Sequence, residues 1–209
     1  MRRVVLLVLL AMALPLAAFA NSSLVFANAG GKITLKNNTL VGNSFLTSVT
    51  LTNGTTITGS LGTVAYQTGA LSSGNVGNSA TFAAGGSFVV KGNGTNGLPN
   101  GVIFSGAFSG PVNWVGTYDP NGNGGKGNWT YVLTGQVAGT LSGIGSGNAV
   151  GGTIQFTFDV PGSKPFSTST RLNHGTTTVT VPEPGTLGLL GTGLIGIAGL
   201  IRRKFRSAA

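Results

Sequence analysis

The chain has no cysteine, only three acidic residues and a single histidine, His174, among 209 residues. Without cysteine it can form no disulfide, so an exported form must rely on its apolar core, and it can supply no thiolate nucleophile. Acid–base catalysis needs titratable groups gathered in one cleft, yet residues 21–180 hold only Asp119, Asp159 and His174 as carboxylates and imidazole. Many serines are present, but none sits in a nucleophile elbow or a comparable motif. This scarcity points away from an enzyme, and no cofactor is expected. Runs of helix-forming residues are also missing: Gly, Thr, Ser, Asn and Val dominate instead, which disfavours helix and favours short strands between turns.

The formal charge of +9 suggests nucleic acid until it is located. Arg2, Arg3, Arg202, Arg203, Lys204 and Arg206 lie at the two ends, with Glu183 near the second. The remaining six basic residues, Lys32, Lys36, Lys91, Lys126, Lys164 and Arg171, face Asp119 and Asp159 in the count and leave +4. In sequence they are scattered and form no basic stripe for phosphate neutralisation, so nucleic acid is not an expected partner.

The N-terminus has Arg2 and Arg3, an apolar stretch from Val4 to Leu14, Pro15, and the small-residue site Ala18-Phe19-Ala20. This is the pattern of a secretory signal peptide over residues 1–20, which implies the Sec translocon and signal peptidase as partners. At the other end, Thr186 to Ile201 carries no charge for sixteen residues. As a helix it would reach roughly 24 Å at about 1.5 Å per residue, short for a hydrocarbon core of about 30 Å. Snorkelling and local thinning make a marginal span possible. Arg202, Arg203, Lys204 and Arg206 then stay on the cytoplasmic side, which leaves residues 21–180 outside. Gly188, Thr192 and Gly196 give this helix one small-residue face, which would let another membrane helix approach closely. Just before the span, Pro182 and Pro184 flank Glu183 and hold the backbone extended, the form that enters a protease cleft.

Val181-Pro182-Glu183-Pro184, the apolar run and the basic end, in this order and behind a signal peptide, resemble the tails of the PEP-CTERM family of bacterial exported proteins. The resemblance covers Val181 to Arg206. It implies recognition of Pro182-Glu183-Pro184 by an exosortase, a membrane-embedded transpeptidase-like enzyme whose catalytic cysteine belongs to that partner. It also implies removal of the helix and basic end during sorting, in Gram-negative bacteria that make extracellular polysaccharide. The expected course is export across the inner membrane, transient anchoring, then release to the cell surface or beyond.

Residues 21–180 are expected to form one all-β domain, an antiparallel sandwich or barrel, followed by a sorting tail over 181–209. Ser23–Ala27 and Lys32–Lys36 read as a first strand pair. A three-residue loop, Thr52-Asn53-Gly54 with Gly54 left-handed, would pair Val49 with Ile57 and Phe45 with Leu61. Period-two runs then put Phe88 with Val90, Val102 with Phe104 and Phe108, Val112 with Trp114 and Tyr118, Trp129 with Tyr131 and Leu133, and Ile154 with Phe156, Phe158 and Val160. Gly59, Gly106, Gly116 and Gly139 interrupt such runs and mark bulges or bends. Asp159 and His174 are expected to face water, and residues 167–180 read as a final hairpin or a stalk, with the alternation of Thr176, Thr178 and Thr180 against Thr177, Val179 and Val181 favouring a strand.

Two ligand readings compete with plain structure. Asp119-Pro120-Asn121-Gly122-Asn123-Gly124 matches the opening of a calcium loop, with Asp119, Asn121 and Asn123 as oxygen donors, but position twelve is Thr130 instead of Glu. A Gly/Asn-rich hairpin loop is the simpler reading. Trp114, Tyr118, Trp129 and Tyr131 could stack on sugar rings, although their alternation with polar residues suits a core. Asn-x-Thr/Ser triplets at Asn37, Asn53, Asn93 and Asn128 read as turn chemistry. The expected role is a structural or adhesive component of a polysaccharide matrix or biofilm, with a carbohydrate-binding module as the alternative.

Overall fold

Alternating apolar and polar side chains, with Gly and Asn between the runs, produce strands almost everywhere in this computed structural model, which describes residues 22–144 and 147–181. The strands are β1 (Ser22–Lys36), β2 (Thr39–Thr50), β3 (Thr56–Gln67), β4 (Leu71–Asn75), β5 (Ser79–Phe82), β6 (Gly85–Asn93), β7 (Asn100–Phe108), β8 (Val112–Asp119), β9 (Asn128–Leu141), β10 (Gly147–Pro161) and β11 (Ser169–Val181). All belong to one sheet, ordered β10-β11-β1-β2-β3-β6-β7-β9, and β9 pairs again with β10. Eight strands therefore close a ring, so the expected sandwich or barrel is a barrel.

One edge of β9 belongs to β10 along its length, and the other is shared: Val137–Leu141 pairs with β7 and Asn128–Thr134 with β8. From β8 the sheet continues to β5 and β4. Only residues 68–70, 83–84 and 109–111 separate β3 from β4, β5 from β6 and β7 from β8. Each of these pairs is one long strand, broken and swung outward. The chain thus runs up and down around the ring in sequence order, and β1 and β11 lie side by side at the seam. The closed ring itself has no free edge, and the side branch ends on β4, which pairs with β5 alone.

Eight strands enclose a space that side chains alone can fill. Tyr66, Phe88, Phe104, Phe108 and Phe156 fill it here, with Phe88 touching each of the other four at ring-centre distances of 5.9–6.5 Å. Toward one end, Trp114 stacks on Tyr131 at 4.7 Å and packs on Phe158 and Phe166. The outward positions of β9, β10 and β11 read Thr134, Gln136, Thr153, Gln155, Thr176 and Thr178. Apolar inside and polar outside is the reverse of a lipid-embedded barrel, whose outer band is apolar.

Several sequence expectations change at irregular points in the ladder. Ser23–Ala27 and Lys32–Lys36 are not a pair: both belong to β1, and the register on β2 shifts across Gly30 and Gly31, where φ is +66° and +89°. The Thr52-Asn53-Gly54 loop is as expected, with the Leu51 amide donating to the Thr55 carbonyl (2.8 Å), Gly54 at φ +83° and Val49 opposite Ile57. Beyond it, however, residues 59–61 of β3 lie opposite Thr47 alone. Phe45 consequently faces Thr63 instead of Leu61, and because Thr47 is an extra residue against β1, Phe45 turns outward, 60% exposed, while Leu61 is fully buried.

A second register shift, between Val90 and Lys91, turns Ile103 inward and leaves Val102 41% exposed, separating it from Phe104 and Phe108. Gly59 does lie in a bulge, but Gly106 and Gly139 do not. They face each other across β7 and β9, where a Cβ on either would fall 2.2–2.3 Å from a backbone oxygen of the other strand. Gly116 likewise makes room for the Tyr131 ring, 2.4 Å from where its Cβ would be. Residues 169–181 form a strand, not a stalk.

Burial raises the pKa of Tyr66 well above 10.0, and burial also raises that of Tyr131, partly offset by the Phe166 amide donating to its hydroxyl. Both folded-state values lie above the unfolded one, so this contribution to stability is complete below about pH 10 and is lost as pH rises beyond it. Absorbance titration followed with circular dichroism should therefore show Tyr66 and Tyr131 ionising only with unfolding. Ionisation of either one near pH 10 with the fold intact would contradict this burial.

Candidate functional site

Val181, the first residue of the sorting signature, is the last residue of β11 and is half-buried; Thr180 donates its hydroxyl to the Gly151 carbonyl (2.9 Å). The signature therefore begins where the barrel ends, without a linker. Pro182, Glu183, Pro184, the apolar run, Arg202, Arg203, Lys204 and Arg206 lie outside the described residues, as do Ala18 and Ala20 of the signal-peptide site. Among the described residues no helix is long and apolar enough to cross a membrane.

Strand directions sort the loops into two ends. Ser22, Val181, the loops 51–55 and 94–99 and residues 142–144 share one end. At that end Asn93 and Thr95 both donate to the Ser60 carbonyl (2.9 and 3.1 Å), and buried Leu98 covers the core. At the opposite end lie the turn at 76–78 and the loops 120–127 and 162–168; the Gly162 amide donates to the Gly127 carbonyl (2.9 Å), and Tyr131 ties the turn to the last loop. Its hydroxyl donates to the Gly77 carbonyl (2.8 Å) and accepts from the Phe166 amide (2.9 Å).

The candidate calcium loop lies at this second end. The Asp119 carboxylate accepts from the Asn121 amide (2.9 Å), an Asx turn, and residues 122–125 make a short helical turn with Asn123 and Gly124 at positive φ. Thr130, the twelfth position, is in β9 and donates to the Asp159 carboxylate (3.0 Å) instead of closing the loop. Among the described residues no three His, Cys, Asp or Glu side chains gather as a metal site requires. The Asn-x-Thr triplets work in the same local way: Asn53 accepts from the Thr55 amide (3.0 Å), Asn93 from the Thr95 amide (3.2 Å), and Asn128 donates to the Thr130 hydroxyl (3.3 Å).

The four candidate aromatic residues form a ladder from core to rim. Trp114 and Tyr131 are fully buried, Trp129 is half-buried and donates to the Ser163 carbonyl (3.2 Å), and Tyr118 is 38% exposed against it. Only the Tyr118 end could meet a sugar. Asp159 does not simply face water: it is half-buried between strands, accepting from Thr130 and from the Asn173 side chain. His174 is exposed, opposite Thr157.

Two surface grooves complete the picture. One, of about 730 Å³, crosses β9, β10 and β11; the cross-strand row Asn113–Thr134–Gln155–Thr176 and its neighbour Gln136–Thr153–Thr178 line it, with no ionisable side chain. The other, of about 530 Å³, crosses β1, β2, β3 and β6 and includes Lys32 and Lys36. Asp119, Asp159 and His174 line neither. The sequence reading missed that lysines far apart in the chain share a face, although the matching parity of Lys32 and Lys36 within one strand was a signal.

Compared with known sequence families, the chain matches the PEP-CTERM protein-sorting motif over residues 180–204. No curated protein and no solved structure matches it. The motif marks an exported protein that an exosortase sorts toward the cell surface.

Proposed function

We propose that this chain, ending in a PEP-CTERM sorting motif, delivers a non-catalytic barrel to the cell surface or extracellular matrix, where it acts as a structural or adhesive component. One observation carries the reading: the matched motif begins at Thr180, inside β11, so the barrel is the domain that leads directly into the sorting tail. The barrel offers hydroxyls, amides and lysines outward, and Asp119, Asp159 and His174 line neither groove. Such a surface suits contact with hydrated polymers better than bond-breaking. Carbohydrate binding is the second reading, and its support has moved from the aromatic residues, mostly buried, to the neutral Thr/Gln groove.

The test is intact mass and membrane fractionation of the native protein beside Glu183→Ala. The native chain is expected to lose its signal peptide and the segment after the motif and to leave the inner membrane, while the variant keeps the apolar run and stays there. If both keep it, exosortase sorting is wrong.

A further inference from the structure

Three of the six basic residues of the barrel share one face. Lys32 and Lys36 point outward from β1 and Lys91 outward from β6, all three exposed. Cross-strand pairing sets them on one face: Lys32–Asn43–Ala65–Val89 forms one row and Ala29–Phe45–Thr63–Lys91 the next. The carboxylates among the described residues, Asp119 and Asp159, belong to β8 and β10, outside this face.

We infer that the outer face of β1, β2, β3 and β6 binds an extended acidic polysaccharide, a carboxylated sugar polymer laid across the groove with its charges against Lys32, Lys36 and Lys91. The inference rests on the reading of the protein as an exported surface component and names that component's partner. Spacing selects the ligand. Four residues of strand separate Lys32 from Lys36 by about 13 Å, and three strand spacings put Lys91 roughly 16 Å from Lys32. A single phosphate or sulfate would reach one ammonium at a time. A nucleic acid strand, with one charge per roughly 3.4 Å, would set most of its phosphates against neutral side chains. A polymer charged once every ring or two matches the sparse cations. Between them, Val41, Ala65 and Val89 give a small aliphatic floor for the C–H faces of sugar rings, and Asn43 and Gln67 offer amides to their hydroxyls.

The test measures binding of the full-length protein in mild detergent to alginate, neutral dextran and single-stranded poly-dT. It compares Lys32→Gln/Lys36→Gln/Lys91→Gln with Lys126→Gln/Lys164→Gln/Arg171→Gln, which removes the same charge elsewhere. All six positions are exposed, and circular dichroism checks that both variants fold. Alginate is expected to bind at low salt, to weaken as the Debye length shortens to about 8 Å at physiological salt, and to lose at least about tenfold in affinity in the first variant but under threefold in the second. Equal losses in both variants, tighter binding of poly-dT than alginate, equal binding of dextran, or no alginate binding at low salt would each overturn the inference. A correctly sorted protein that ignores alginate leaves the sorting reading standing; a mis-sorted one that binds alginate does the reverse.

Discussion

Replacing Trp114 with alanine is expected to cost about 3–5 kcal/mol, the range for deleting a buried aromatic. For a domain of this size that lowers Tm by roughly 6–20 °C. The indole is fully buried, stacks on Tyr131 at 4.7 Å, touches Phe158 and Phe166, and donates to the Val76 carbonyl (2.8 Å). Its loss opens a cavity where β8, β9 and β10 meet the turn at 76–78, and leaves that carbonyl without its partner. Tyr118→Ala, at the exposed end of the same ladder, is the control and should cost about 1 kcal/mol. Urea denaturation of the purified chain measures both. Equal effects would mean that the ladder does not run from core to rim.

The next largest effect belongs to Gly31→Ala. Here φ is +89°, and a Cβ would lie 2.1 Å from the Asn43 carbonyl oxygen and 2.7 Å from the Ser44 Cα. The left-handed backbone alone costs about 1–2 kcal/mol, and forcing β1 away from β2 adds about 1–3 kcal/mol. Gly54→Ala separates the two terms: φ is +83° there, but nothing lies within 4 Å of the new methyl. It should lose only the first, while Gly31→Ala loses both, about 2–5 kcal/mol in all. If the two variants have the same urea midpoint, the close approach at Gly31 is wrong.

These positions also show what could be read in the chain. Period two was legible wherever the ladder is regular: Ile154, Phe156 and Phe158 are buried, and Thr153 and Gln155 are exposed. Local turn chemistry was legible too, since Gly54 and the Asx turns at Asn53 and Asn93 depend on neighbours two or three residues away. Bulges were not. The extra residues at 30–31, 47 and 103 are fixed by the partner strand, and each reverses the faces beyond it, which is why Phe45 and Val102 turn outward. Ring closure, and with it the company of Lys32 and Lys91, depends on contacts distant in sequence. The sorting signature was legible because it is contiguous: its parts work through order along the chain, not through folding.

The seam between β1 and β11 sets the timing of assembly. A chain exported from its N-terminus presents β1 first, and the strand that must lie beside it emerges last, just ahead of the segment that the sorting motif introduces. Until then β1 and β10 both offer unpaired backbone to whatever surrounds them, the condition under which β-rich chains misassociate. Completion of the barrel and arrival of the tail at the membrane are therefore nearly simultaneous, so an enzyme that reads the tail meets a passenger that has only just become able to fold.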